Sequence, residues 1–364
     1  MRYAVIMAGG SGTRLWPMST TDQPKQLIPF IEGRSLLEIA ADRLEGLVDG
    51  ERQYICTGEN FREPIKQSLP RFGDEQILGE PEGRDTLGAV GFPAAVIARD
   101  DPDAVIAVFT ADHLIEPVDV FQQRVNEGYR IAEEKPSTLV TFGIRPTYPA
   151  TGYGYVQLGE ALAGYDNACY AQGFKEKPDE QTARQYLERG RYLWNSGMFV
   201  WRAATLLGCI QRYEPDVHEK LQTIAEAWDS DRRSQVLKGT YPKLKKISVD
   251  YAVMEPAGRD EQVDVATVEM PVRWLDVGSW PAYAETLDEG EGRNRLAADA
   301  CLTMDSKGTL VVSDDPEHLI AALGVTDLVI VHTKKATLIC HKDAAQRIKD
   351  LHKEVGDQFG ERYL

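Results

Sequence analysis

The sequence predicts an α/β protein with a mixed, mainly parallel sheet wrapped by helices, followed by a small C-terminal β-rich domain. Three observations support this fold class. Short apolar runs with β-branched residues alternate with helix-like stretches in the first half of the chain. A glycine-rich loop follows the first run, at the position where strands of such sheets meet ligands. Beyond residue 290, four short apolar runs precede a single terminal helix pattern.

Residue spacing predicts the elements of the first half in order. Apolar runs predict strands at residues 3–7, 54–57, 77–78, 103–109 and 138–144. Helical spacing predicts helices at residues 35–48, 86–98 and 121–134. Ser35 is the expected N-cap of the first helix, because its hydroxyl can accept a hydrogen bond from a backbone N–H of the first turn.

The character of the chain changes after residue 150. Aromatic–glycine segments at 153–156, 173–178 and 193–199 predict short strands, and helical pieces are expected at 180–189, 203–227 and 281–287. An acidic, glycine-rich stretch at 288–292 suggests a boundary near Gly290. We therefore expect one domain over residues 1–290 and a second over 291–364, with strands at 301–304, 309–312, 328–332 and 336–340 and a helix from 343 to about 359.

Composition limits the class of protein. The 364 residues carry a net charge of −16, from 57 acidic and 41 basic residues, which argues against a nucleic-acid-binding surface. Five scattered cysteines without Cys-x-x-Cys spacing are typical of reduced thiols rather than of a disulfide framework or zinc site. No signal peptide is apparent, and no apolar run approaches the ~20 residues that span a membrane. These features predict a cytoplasmic protein without a membrane partner.

The loop after the first strand has the chemistry of a phosphate site. It contains the glycines Gly9, Gly10 and Gly12, and successive N–H groups in such a loop form a concavity for anionic oxygens. Arg14 and Lys25 follow as cations that can bind phosphate. The alternative is a tight turn with two surface cations. No Lys follows Gly12 as a Walker loop requires, and Leu15 replaces the third glycine of a dinucleotide fingerprint.

The loop resembles the signature of the sugar-1-phosphate nucleotidylyltransferases, Gly-Gly-x-Gly-x-Arg-Leu followed by Pro-Lys. Its extended form at residues 15–19 and 24–27 is similar to the mannose-1-phosphate guanylyltransferase branch. The resemblance runs from Tyr3 to about Trp280 and loosely into the C-terminal part. It implies a Rossmann-like catalytic domain and a C-terminal domain like a left-handed β-helix.

By this resemblance, the nucleotide is bound by Ala8, Gly9, Gly10, Gly12 and Thr13. Asp85 stands where the family commonly has Asn, in a segment near the nucleotide. Its carboxylate could accept the adjacent N1–H and 2-amino donors of guanine. The alternative is that Asp85 caps the helix that begins near residue 86.

Two aspartates are candidates for a metal site. Asp112 follows the strand at 103–109, and carboxylates there can hold Mg²⁺ together with substrate phosphates. The resemblance implies Asp112 and Asp276, the latter in Trp-x-Asp-x-Gly-x-Trp, as the Mg²⁺ ligands. For Asp112 the alternatives are a helix cap or an ion pair with Arg14. The neighbouring His113 is expected to be structural.

The sugar phosphate is implied to bind a third set of residues. Lys177 would hold its phosphate and Glu176 would accept hydrogen bonds from sugar hydroxyls, although Glu-Lys-Pro alone is as typical of a charged turn. Gly154 and Asn195 match positions that shape the sugar pocket. The segment at 250–255 also resembles the guanylyltransferase branch. Its Tyr251 and Glu255 could reach the sugar, and helix packing with an exposed carboxylate is equally compatible with the sequence.

The resemblance implies transfer of GMP from GTP to mannose 1-phosphate, with Arg14, Lys25, Asp112 and Lys177 as catalytic residues. The partners would be these two substrates, with a possible homodimer. The alternatives are a nucleotidylyltransferase for another hexose 1-phosphate or nucleotide, or a non-catalytic sugar-nucleotide-binding subunit.

Overall fold

The computed structural model describes residues 1–10 and 12–364. The described chain divides into two compact units. The first unit comprises Met1–Gly9, Ala40–Ala111 and Ile115–Trp274. The second unit comprises Gly10–Ile39, Asp112–Leu114 and Leu275–Leu364.

The secondary structure alternates as the sequence predicts over the first half of the chain. The strands are β1 (Arg2–Met7), β2 (Gln53–Gly58), β3 (Ile77–Glu80), β4 (Val105–Thr110), β5 (His113–Glu116), β6 (Thr138–Ile144), β7 (Gly154–Ala161), β8 (Ala168–Lys175), β9 (Tyr192–Arg202), β10 (Asp264–Glu269), β11 (Arg273–Asp276), β12 (Arg295–Ala297), β13 (Cys301–Met304), β14 (Leu310–Ser313), β15 (Ile320–Leu323), β16 (Leu328–His332) and β17 (Thr337–His341). The α-helices are α1 (Leu36–Asp42), α2 (Arg62–Ser68), α3 (Asp85–Asp100), α4 (Val118–Glu134), α5 (Glu180–Arg189), α6 (Ala203–Tyr213), α7 (Pro215–Glu226), α8 (Arg233–Thr240), α9 (Glu255–Ala257), α10 (Trp280–Ala284) and α11 (Ile348–Phe359).

A nine-stranded sheet in the order β3-β2-β1-β4-β9-β6-β10-β8-β7 forms the centre of the first unit. Its mixed character is confirmed: β1, β2, β3 and β4 pair in parallel, as do β6 and β10. Every pair that includes β7, β8 or β9 is antiparallel. Met7 pairs with Thr110, so β1 and β4 end side by side at the edge where ligands of such sheets bind.

Local signals explain where several helices begin and end. Ser35 and Glu38 form a capping box at the start of α1: the Glu38 N–H donates to Ser35 Oγ, and the Ser35 N–H donates to Glu38 Oε2. The helix predicted at 180–189 has those bounds in the structure. The single helix predicted at 203–227 is wrong, because Pro215 begins a new helix there.

The sequence patterns did not predict several elements. Five strands of the structure were not expected, namely β5, β10, β11, β12 and β15. They are short or lie in stretches whose alternation is weak, so their pairing partners decide their conformation. The terminal helix begins at Ile348 rather than near residue 343, after a 3₁₀ segment over Lys342–Arg347.

The second unit has a core drawn from distant parts of the chain. Leu15, Trp16 and Phe30 pack in one apolar cluster with Trp280 and with residues of the C-terminal strands. The Trp280 indole N–H donates to the Trp16 carbonyl oxygen at 3.0 Å. The segment that carries Arg14 and Lys25 therefore shares its core with the C-terminal strands.

Those C-terminal strands form two small sheets. In one sheet, in the order β12-β14-β16-β17, the first three strands are parallel and β17 is antiparallel. In the other sheet, β13 and β15 pair in parallel. A second apolar cluster contains Val311, Ile320, Ala322 and Ile330.

The boundary near Gly290 stays a prediction. A truncation at that point tests whether the segment at 10–39 needs the C-terminal strands in order to fold. A chain that ends at Glu289 loses Val312, Val331 and Ile348 from the core that covers Trp16. Because each large core truncation costs about 2–5 kcal/mol, we expect the remaining second unit to lose its fold. Limited proteolysis should then cut between residues 10 and 39. A truncated chain with the melting temperature and protease resistance of the full chain would contradict this expectation.

Candidate active site

In the second unit, the residues after β4 meet the end of β11. The Val277 N–H donates to the Asp112 carbonyl oxygen at 3.0 Å. This contact brings together Asp112, His113 and Asp276, whose possible ligand atoms all lie within 4.8 Å of one another. The two aspartates predicted from distant motifs therefore belong to one cluster, to which the structure adds His113.

Lys25 reaches this cluster because of Gly12. A Cβ at Gly12 would lie 2.3 Å from Ser19 Oγ and 2.9 Å from the Lys25 Cβ, and the residue has a φ of 60°. Only glycine combines that conformation with so close an approach. Lys25 Nζ lies 2.5 Å from Asp112 Oδ2, and their side chains are only 10% and 23% exposed. The partner of Asp112 is thus Lys25 rather than Arg14.

Arg14 lies beside the same cluster with an exposed side chain. Its Nη1 donates to Gln346 Oε1 at 3.2 Å. A Cβ at Gly278 would lie 3.3 Å from Arg14 Nη2 and 3.2 Å from Asp276 Oδ1, so the guanidinium and this carboxylate flank one glycine. The arrangement leaves much of a planar, permanently charged fork available to an anionic ligand.

The charges of the cluster suit a cation. Burial alone would raise the pKa of Asp112, but the Lys25 ammonium and His113 hold that pKa well below its usual range. Burial and then the charge of Asp112 raise the pKa of Asp276. A divalent cation between the carboxylates would relieve this repulsion, and carboxylate oxygens are ligands that Mg²⁺ prefers. The residues present therefore fit a divalent metal ion.

The glycine-rich loop begins in the first unit. The Ala8 N–H donates to the Cys56 carbonyl oxygen at 2.8 Å, and the Ala8 carbonyl accepts from Thr57 Oγ1 at 3.0 Å. Both backbone groups of Ala8 are therefore used by the sheet, and the part of the loop that can approach a ligand starts at Gly9. Ser11 lies outside the described residues. In the second unit, Gly10 has a φ of 101° and Thr13 begins a 3₁₀ turn.

Glu80, at the end of β3, is a candidate residue of the nucleotide site that the sequence analysis missed. Its side chain is buried, and a Cβ at Gly9 would lie 3.7 Å from Glu80 Oε2. The Tyr241 hydroxyl donates to Glu80 Oε1 at 2.5 Å. Burial raises the pKa of Glu80, against the effect of the hydrogen bonds from Tyr241 and the Arg84 backbone. The position of a Glu at a strand end beside the loop is the signal that could have identified it.

Asp85, the sequence candidate for base recognition, lies in an exposed position with a φ of 63°. Its Oδ1 accepts a hydrogen bond from the Thr86 N–H at 2.8 Å. This bond satisfies an N–H at the start of α3, as a helix-capping group does. Asp85 is the first residue of α3, and both the capping and the base-reading interpretations of its carboxylate stay predictions.

The four residues predicted for the sugar phosphate gather in the first unit. Gly154 of β7 pairs with Asn195 of β9, and a Cβ at Gly154 would lie only 2.4 Å from Glu176 Oε2. Glu176 is buried, and its Oε1 lies 2.9 Å from Lys177 Nζ. The Lys177 side chain is 57% exposed, so its ammonium remains accessible to a phosphate.

Asp250 of the segment 250–255 joins this group, although the sequence analysis gave this residue itself no role. Its Oδ1 accepts a hydrogen bond from Asn195 Nδ2 at 2.8 Å. Burial and then the charge of Glu176 raise the pKa of Asp250 to about 7. Glu255 also approaches the group, since its Oε1 accepts from the Glu176 N–H at 3.5 Å, whereas Tyr251 is exposed.

Comparisons with known proteins agree with the motifs. The model of the nucleotidyl transferase family matches residues 3–291, and that of the MannoseP isomerase/GMP-like beta-helix domain matches residues 299–355. The chain is 39% identical to a mannose-1-phosphate guanylyltransferase of Klebsiella pneumoniae and 38% identical to one of Escherichia coli. Each alignment covers 96% of this chain and 73% of the relative.

A solved structure extends the agreement to the fold. A crystal structure from Thermus thermophilus, titled mannose-1-phosphate geranyltransferase, matches with a TM-score of 0.83 and 31% identity. The match covers 97% of this chain and 99% of that one. The predicted fold class is therefore confirmed, including the β-helix-like C-terminal domain.

Among the described residues, none of the helices has both the length and the apolar character needed to cross a bilayer. The cytoplasmic location stays a prediction.

The charge of Asp250 predicts a pH-dependent stability. Because its pKa rises from about 4 in the unfolded chain to about 7 in the fold, ionisation destabilises the fold as pH rises between these values. Asp250→Asn removes this penalty. We expect its melting temperature to match wild type near pH 4 and to exceed it by a few degrees at pH 8. A gap that is constant with pH, or largest at pH 4, would contradict the assignment.

Proposed function

Since the chain belongs to the nucleotidyl transferase family, we propose that it transfers GMP from GTP to mannose 1-phosphate, forming GDP-mannose and releasing pyrophosphate. The names of its relatives support the choice of sugar and base. The observation that carries the proposal is the cluster of Lys25, Asp112 and Asp276, with Arg14 beside it. A protein that only bound a sugar nucleotide would not need this buried charge set.

The reaction needs little acid–base chemistry. Phosphate oxygens are already ionised at neutral pH, so the sugar phosphate oxygen can attack the α-phosphorus in line while pyrophosphate leaves. Arg14, Lys25 and the N–H groups of the glycine loop would stabilise charge on the departing pyrophosphate. Asp112 and Asp276 would hold Mg²⁺, which when bound neutralises charge on the nucleotide and sugar phosphates. The Lys25 ammonium keeps Asp112 ionised and so competent as a ligand.

The sugar side of the reaction falls to residues of the first unit. Lys177, with its exposed ammonium, would hold the phosphate of the incoming sugar. Glu176 would accept hydrogen bonds from sugar hydroxyls. The Glu176 carboxylate occupies space that a side chain at position 154 would fill, so Gly154 is needed there. Asn195 would contribute an amide to the same pocket.

Pyrophosphate release measured with four nucleoside triphosphates and several hexose 1-phosphates tests the proposal. We expect the highest kcat/KM with GTP and mannose 1-phosphate. If another nucleotide and sugar phosphate are preferred, the proposed substrates are wrong but the proposed type of reaction stands. Tight binding of sugar nucleotide with no release under any combination would favour the non-catalytic subunit.

A homodimer is the quaternary state that the second unit supports. Leu302 and Met304 of β13 and Leu323 of β15 are 54%, 56% and 69% exposed, and Met304 pairs with Leu323. These side chains form an uncharged apolar face on a chain with a net charge of −16. Because two copies repel each other through that charge, an uncharged face is where they can meet at the lowest cost.

Substitution of the proposed metal ligands tests their role. Asp112→Asn and Asp276→Asn should each lower kcat at least ~10²-fold, because each removes an anionic ligand from a charge-stabilising metal. Steady-state rates at saturating Mg²⁺ measure the effect. Asp22→Asn, at an exposed aspartate of the same unit, is the matched control. Near-wild-type turnover in either variant would refute the assignment of that residue.

Base selection should depend on Glu80 more than on Asp85. A carboxylate matches the paired donors of guanine, so Glu80→Gln should lower the GTP-over-ATP ratio of kcat/KM by about 10²-fold. Glu82→Gln, at an exposed carboxylate of the same segment, is the control. Asp85→Ala should keep the ratio and lose about 1 kcal/mol of stability. If instead the ratio falls only in Asp85→Ala, Asp85 is the base reader.

The apolar face predicts a variant that dissociates. Leu323→Glu places a charge in the middle of the face and should shift sedimentation towards the monomer at micromolar protein concentration. Ile339→Glu, at a similarly exposed position of β17, is the control and should remain dimeric. A wild-type chain that sediments as a monomer at every concentration would rule out the homodimer.

A further inference from the structure

Asn195 lies in the interior of the first-unit sheet. It belongs to β9, where it pairs with Gly143 of β6 and Gly154 of β7. Its side chain is buried, with only 7% of the residue exposed. A buried amide has four hydrogen-bonding positions, two acceptors and two donors, and each needs a partner.

The oxygen end of the amide is identified by its neighbours. Asn195 Oδ1 accepts hydrogen bonds from Thr141 Oγ1 at 2.8 Å and from the Gly197 N–H at 3.4 Å. A backbone N–H can only donate, so the atom facing Gly197 must be the oxygen rather than the nitrogen. The orientation of the amide therefore follows from the position of the Gly197 N–H.

The nitrogen of the amide carries two protons, of which one is donated within the protein. Asn195 Nδ2 donates to Asp250 Oδ1 at 2.8 Å. Within residues 1–10 and 12–364, no acceptor takes the second proton of this nitrogen. This second N–H is therefore available to an oxygen of a ligand, and a buried donor gains stability when such an oxygen accepts from it.

A buried carboxylate at Asp250 costs more free energy than a neutral acceptor of the same hydrogen bond would. It stands close to the buried carboxylate of Glu176, and the two charges repel. The Lys177 ammonium offsets part of that repulsion. An Asn or Ser at this position could accept the same hydrogen bond without the charge. An ionised carboxylate accepts and cannot donate, so Asp250 holds the nitrogen end of the amide in the orientation that the Gly197 N–H sets at the oxygen end.

We propose that Asp250 is a positioning residue for the sugar site: it fixes the Asn195 amide so that the second N–H meets an oxygen of the sugar 1-phosphate. Thr141 holds the opposite end of the amide and acts with it. Asp250 itself does not touch the sugar. This inference rests on the proposed function, since it names a group that orients a residue of the proposed sugar pocket.

Variants of Asp250 separate positioning from direct contact. Asp250→Ala removes the acceptor and should raise the KM for mannose 1-phosphate about 10-fold or more, with the KM for GTP unchanged. Asp250→Asn keeps an acceptor oxygen and should stay within about 3-fold of wild type. If Asp250→Asn is as impaired as Asp250→Ala, the charge touches the substrate and the proposal is wrong. Asp264→Ala, at an exposed aspartate of β10, is the control.

A double-mutant cycle tests whether Asp250 acts through Asn195. We expect Asp250→Ala in an Asn195→Ala background to add less than about 2-fold to the KM for mannose 1-phosphate, because the amide it positions is already absent. Multiplicative effects would overturn the proposal. Equal increases in both KM values would also overturn it, since they indicate a general disturbance of the fold.

Thr141→Val provides a second route if Asp250→Ala does not fold. It removes the hydroxyl that holds the oxygen end of the amide with little change of volume, and should raise the KM for mannose 1-phosphate selectively. An unchanged KM in a folded Thr141→Val protein would count against positioning. If wild type prefers another sugar 1-phosphate, that sugar replaces mannose 1-phosphate in each comparison. The failure of the proposed function is thereby separated from a failure of this inference.

Discussion

The candidate catalytic cluster depends on one interaction, the ion pair between Lys25 and Asp112. Both groups are largely buried, so each would carry an uncompensated charge without the other. Removing one partner of such a pair costs about 3–5 kcal/mol. The pair also ties the segment after the glycine loop to the residues that follow β4. Asp112 is therefore held ionised beside Asp276, where the two carboxylates could share a divalent cation.

Two glycines make the close approaches of the two residue clusters possible. At Gly12, a side chain would collide with Ser19 and Lys25, and at Gly154 it would collide with the Glu176 carboxylate. In each case a charged or polar side chain of another segment occupies the space that a Cβ would need. The glycines thus serve here less as flexible joints than as space for functional side chains.

Both clusters also bring carboxylates together at an energetic cost. Asp276 lies beside Asp112 in the second unit, and Asp250 lies beside Glu176 in the first. Each pair has a nearby cation, Lys25 in one case and Lys177 in the other, that offsets only part of the repulsion. Such arrangements are typical of binding sites, where a metal ion or hydroxyl donors of a ligand complete the charge balance.

The sequence by itself determined the family of the protein and many of its local elements. The glycine loop, Asp112, Asp276 and the Ser35 cap are readable because each depends on residues close together in the chain. Tertiary structure decided the rest. Tyr241 reaches Glu80 across 161 residues, and Asp250 reaches Asn195 across 55. Neither contact leaves a periodic pattern, because a hydrogen bond between distant side chains constrains two single positions and nothing between them. The strands that had no expectation are decided in the same way, by the neighbours that pair with them.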